Sequence, residues 1–133
     1  MAVVTIDTIR TESLLEHAQS LALDLTARLH PLVGRHGVSA VRVAGAQVAV
    51  VFCDGNGQPD PAGAELVQRR LREQQMLVYG GGRHGECGML LPPINLPRAV
   101  LRDALSRLLA QIERTRLAEP LGWTADCAID QPT

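Results

Sequence analysis

The chain has 133 residues, 46% of them hydrophobic and 20% charged, the composition of one soluble globular domain rather than of a disordered segment. Its formal net charge of −1 argues against a nucleic-acid or anionic-membrane surface, and no apolar run approaches the roughly 20 residues of a membrane span. All 13 basic residues are Arg, so with no Lys the chain can offer neither a Schiff-base amine nor the Gly-Lys of a Walker-type phosphate loop.

Residues Ala2 to Ile9 form a short apolar segment compatible with helix or strand, without the basic-then-apolar order of a signal peptide. Ser13 with Glu16 three residues on fits a capping box. Behind it Leu14, Ala18, Leu21, Leu25 and Leu29 recur at helical spacing, which predicts an amphipathic helix ended by Pro31, with Gly34 and Gly37 in its exit loop. The helical period then disappears. Val38–Val43 and Gln47–Phe52 read as antiparallel strands joined at Ala44-Gly45-Ala46, the second so continuously apolar that it should be central. Asp54 to Pro59 is a loop by composition. Asp60 as N-cap with Pro61 at the first helical position opens a helix to about Gln75 that buries Ala64, Val67 and Leu71. Met76–Tyr79 is a short strand broken by Gly80-Gly81-Gly82. A polar tip, Arg83-His84-Gly85-Glu86, leads to a return strand Cys87–Leu91 that Pro92-Pro93 stops. The last helix, starting around Pro97, carries Leu101, Leu105, Leu108 and Ile112, and from Leu117 an aperiodic tail follows. The expected fold is α+β: a small, mostly antiparallel sheet with helices on one face over residues 1–116, and an irregular tail over 117–133.

Several of these stretches resemble the C-terminal small domain of class III (fold type I) pyridoxal-phosphate aminotransferases, most of all the diaminobutyrate–2-oxoglutarate branch. Gly81-Gly82-Arg83-His84-Gly85 is similar to the family's Gly-Gly-Arg-(His or Asp)-Gly. Met89-Leu90-Leu91-Pro92-Pro93-Ile94 is similar to its Arg-Phe-Leu-Pro-Pro-Leu, and Val41-Arg42-Val43-Ala44-Gly45-Ala46 to its Val-Arg-Gly-x-Gly-Leu hairpin. Ile6-Asp7-Thr8-Ile9 through Leu14-Leu15-Glu16 and the helix around Leu101-Arg102-Asp103-Ala104-Leu105 complete the series in order, over about residues 2 to 116. The departures matter equally. The large domain with its cofactor loops and Schiff-base Lys has no counterpart here. Where many members place an Arg that binds a substrate carboxylate stands Met89.

Arg83, His84, Glu86 and Cys87 make a dense polar cluster. Read as a site, it sets His84 as acid or base with Glu86 as its partner and Cys87 as nucleophile. Arg83, Gly82 and Met89 would then contact a substrate. Read as structure, the cluster is the exposed tip of a hairpin. His84 and Cys87 lack the further ligands that a zinc site needs. His17, His30 and His36 read as solvated, the Arg69-Arg70-Arg72 run as a solvated helix face, and Cys53 as a buried hydrophobe. Trp123 reads as an anchor for the tail. Three odd, scattered cysteines fit reduced thiols and a cytoplasmic protein.

The resemblance implies an assembly or partner subunit, or a non-catalytic homologue, in amino-acid or diamino-acid metabolism. It would form a homodimer or join a separately encoded aminotransferase large domain. Pyridoxal phosphate would enter only if that partner supplied it. The competing reading is a repurposed small enzyme acting on a diamino acid or related small amino-acid metabolite through the hairpin tip.

Overall fold

A computed structural model describes residues 2–116. The apolar start is helix α1 (Ala2–Thr11), followed by α2 (Leu14–Leu29) and a 3-10 turn over His30–Leu32 where Pro31 interrupts the α-helix. Next come strands β1 (Val38–Ala44) and β2 (Gln47–Phe52), helix α3 (Pro61–Glu73), strands β3 (Tyr79–Gly81) and β4 (Cys87–Leu90), and helix α4 (Arg98–Arg116). The sheet is antiparallel throughout, in the order β1-β2-β4-β3, so the apolar β2 is indeed internal.

Alternation along β2 explains the layering. Val48, Val50 and Phe52 share one face, with Val41, Val43, Gly88 and Leu90 opposite them on the flanking strands. Onto this face pack Leu21, Leu25 and Leu29 of α2, Ala64, Val67 and Leu71 of α3, and Leu101, Leu105, Leu108 and Ile112 of α4. The helix stripes expected from spacing are therefore the core. The opposite face carries the rows Arg42–Ala49–Met89–Tyr79 and Ala40–Val51–Cys87–Gly81, none of them in that core.

Three expectations need correction. Ser13 does not form a capping box: its backbone is left-handed (φ 50°) and its side chain makes no cap bond. The chain passes from α1 into α2 after a two-residue break, and backbone carbonyls serve the amides there, Ser13 O accepting from His17 N at 3.1 Å. The third strand is shifted, spanning Tyr79–Gly81 instead of Met76–Tyr79. Gly80 and Gly81 do not break it, because pairing with Gly88 and Cys87 defines the strand. Met76 is occupied in closing α3, its amide donating to Leu71 O at 3.0 Å. Finally, His17 is not a solvated side chain: its Nε2 lies 3.0 Å from the carbonyl oxygen of Leu96 and ties α2 to the approach of α4. The tail, with Trp123 and Cys127, lies outside the described residues.

Asp60 caps α3 as its sequence implies, accepting from Gly63 N at 2.9 Å with Pro61 behind it. α3 packs against β4, and the hairpin tip lies beside its first turn, where a Cβ at Gly85 would come within 3.6 Å of Pro61 Cβ.

Candidate functional site

The tip joins β3 to β4 through two glycines with positive φ, Gly82 at 89° and Gly85 at 80°. Only glycine takes these conformations without strain. At Gly82 the need is also steric: a Cβ would sit 2.5 Å from Glu86 Oε2 and 2.9 Å from Cys87 Sγ. That close approach exists because the Glu86 carboxylate folds back over the turn, Oε2 accepting from the backbone amide of His84 at 2.7 Å. Glu86 O meanwhile accepts from Phe52 N at 2.9 Å, fastening the tip to the end of β2.

Hydrogen bonding from its own backbone amide, helped by the amide and nearby ring of His84, holds the Glu86 carboxyl below the usual carboxylate range despite some opposing desolvation. The carboxylate therefore acts on the turn's backbone. Cys87 is buried, and burial pushes its thiol up; the Glu86 charge adds to this and Arg42 partly offsets it. A thiol held protonated is a poor nucleophile. Arg83 and His84 are exposed. The fold thus gathers Gly82, Arg83, His84, Glu86 and Cys87 at one tip. Met89 stands apart on the outer face of β4, where Gly81 makes room for it: a Cβ there would meet Met89 Cε at 2.9 Å. Among the described residues no group of three or more His, Cys, Asp or Glu could hold a metal ion.

Arg42 was not singled out by sequence reasoning. Cross-strand register places it in the same row as Met89, roughly 10 Å across the sheet. The two line a shallow cavity of about 200 Å³ with Ala49 and Leu91. On its other side Arg42 lines a second cavity, of about 140 Å³, with Ser39, Cys53 and Glu86. Period-two alternation in β1 was the available signal, since it sends Arg42 to the face opposite Val41 and Val43.

Among known proteins, a 4-aminobutyrate aminotransferase of Mycobacterium leprae (strain TN) is 32% identical over 113 residues, covering 81% of this chain and 25% of the relative. A transaminase solved with L-alanine superposes with a TM-score of 0.77 at 19% identity, over 88% of this chain and 28% of that one. The chain is a small aminotransferase-like domain. An omega-transferase from Vibrio fluvialis JS17 has the same fold (TM-score 0.72, 20% identity, 86% of this chain and 27% of that one). So does a lysine aminotransferase from M. tuberculosis (0.71, 21%, 84% and 24%). No family model matches. The chain spans about a quarter of the length of these relatives. The shared likeness is to the aminotransferase small domain and does not single out the diaminobutyrate branch.

Pyridoxal phosphate is the cofactor that the family resemblance implies, and the residues of this domain do not fit its covalent attachment: among its side chains there is no amine to form the linkage. No described helix is long and apolar enough to cross a membrane.

Proposed function

We propose that this domain is the non-catalytic small-domain part of an aminotransferase-like assembly in amino-acid or diamino-acid metabolism. A large-domain surface, on the same polypeptide or another, covers its outer sheet face and α1. The observation that carries this reading is α1 itself. It has no buried residue, and Val3, Val4 and Ile6 are 70%, 68% and 50% exposed. A ten-residue helix in water has little stability without an apolar partner surface. The apolar row of half-buried Ala49 and Met89 with exposed Tyr79 on the outer sheet face supports the same assignment, since contiguous apolar surface marks an interaction site.

The test is purification of the full chain from its native host, with mass spectrometry of whatever co-elutes. An aminotransferase-like large-domain polypeptide is expected with the wild type, and its loss from Val4→Asp. A wild-type chain that elutes as a monomer without such a partner overturns the reading.

A further inference from the structure

The loop between β2 and α3 carries a chemistry of its own in Asp54-Gly55-Asn56-Gly57. Its core is a tight turn: Gly57 N donates to Asp54 O at 3.1 Å, and Gly57 takes a positive φ of 78°. One oxygen of the Asp54 side chain clasps this turn, Oδ1 accepting from Asn56 N at 2.8 Å and from Gln58 N at 2.9 Å. Asn56 itself is exposed to water.

Asparagine is a thermolabile residue, because the backbone nitrogen that follows it can close a five-membered ring on the side-chain amide carbon. A side chain on the following residue crowds that attack, whereas glycine leaves it open and bends freely into it. The chain has two asparagines, Asn56 and Asn95, and the fold sets them in matched surroundings. Asn95 is also exposed, and the amide after it, Leu96 N, donates to Pro93 O at 3.0 Å, as Gly57 N does to Asp54 O. Exposure and turn bonding are alike at the two positions. What differs is the next residue, Gly57 against Leu96, and the Asp54 clasp.

We propose that Asn56 is a site of spontaneous modification, deamidating to aspartate and isoaspartate at a rate that the Asp54 clasp restrains. Gly57 N gives up its proton and bonds to Asn56 Cγ. The Cγ–Nδ2 bond breaks, and the nitrogen takes up a proton and leaves as ammonia. Water then opens the cyclic imide at either carbonyl, leaving a carboxylate at position 56. The attacking nitrogen is the one whose N–H is held by Asp54 O, so the turn must open before it reacts. The change runs one way. It sets a second negative charge beside Asp54, and isoaspartate adds a carbon to the backbone of a loop whose ends are fastened by Asp54 N to Gln58 O at 2.8 Å and by the Cys53–Pro59 bridge. This site is independent of any assembly at the sheet face.

The experiment is incubation of the full chain in mildly alkaline buffer, with peptide mass spectrometry following Asn56 and Asn95 in the same samples. An L-isoaspartyl methyltransferase with labelled S-adenosylmethionine counts the isoaspartate. Asn56 is expected to exchange its amide for a hydroxyl and to yield isoaspartate while Asn95 stays intact. Gly57→Ala should slow the reaction severalfold. Asp54→Ala should speed it by about tenfold, as the loss of two hydrogen bonds to a charged acceptor does. The wild type in urea, where the clasp is gone whatever the variant does to folding, should react faster by a similar factor. No isoaspartate at position 56, or Asn95 reacting as fast as Asn56, overturns the site. Equal rates for the native and urea-unfolded wild type overturn the clasp.

Discussion

Gly82 shows how a residue written as part of a polar motif can be there for geometry. Its φ of 89° strains any residue with a Cβ, and a Cβ there would have to push aside the Glu86 carboxylate at 2.5 Å and Cys87 Sγ at 2.9 Å. Gly82→Ala is expected to destabilise the fold by about 1–3 kcal/mol in denaturant titration. His84→Ala, at an exposed side chain, should change stability by about 0.5 kcal/mol or less. If His84→Ala instead abolishes a measured activity or binding while leaving the melting temperature unchanged, the tip is a site and not simply a turn. Glu86 supplies the pH dependence. Its carboxyl is held below the ordinary 4.5, so the native state favours the charged form. The stabilisation from that capping is full above pH 4.5 and is lost as pH falls through the lower native value. Carbon-detected NMR titration of Glu86 giving an ordinary or raised value would contradict the turn-capping role.

Among the elements, two helix starts that look similar in sequence behave oppositely. Asp60 caps α3 through Gly63 N, so Asp60→Ala should cost about 1 kcal/mol. Ser13 caps nothing and sits in the left-handed region, which disfavours any residue with a Cβ. Ser13→Gly should therefore stabilise the protein, by up to about 1 kcal/mol; a clear loss of stability would restore the capping box. The reason for the difference is local. Asp60 follows a loop whose chain arrives in an extended conformation, whereas Ser13 is wedged between two helices that share their hydrogen bonding. Tertiary pairing also decided β3: no propensity scale makes a strand of Tyr79-Gly80-Gly81, but the absence of Cβ atoms lets that segment pass over Met89 and Gln68.

At the scale of the molecule, the helices pack on one sheet face and the residues of the other stay outside the core. Without a large-domain partner, two copies are expected to pair through the same faces about a twofold axis, an obligate interface burying on the order of 2,000 Å² or more. Sedimentation of the isolated chain at micromolar concentration should show this dimer, and Met89→Glu should dissociate it. A stable wild-type monomer would remove the self-association while leaving the large-domain partner open to its own test.

The sequence by itself determined the elements whose burial is periodic: the stripes of α2, α3 and α4, the internal β2, and the ends marked by Pro31, Asp60 and Pro92. Burial of one face imposes a repeat that single residues cannot hide. It also determined the excluded chemistry, since a chain without Lys offers no side-chain amine wherever it folds. Only the tertiary structure decided what depends on neighbours distant in sequence. Glu86 folds onto a backbone amide instead of waiting for a substrate, Arg42 and Met89 share a row through two strand pairings, and His17 reaches Leu96 across 79 positions. Arg70 and Thr115 meet for the same reason: they lie on separate helices, and only the packing of α3 on α4 brings them within a hydrogen bond at 3.0 Å.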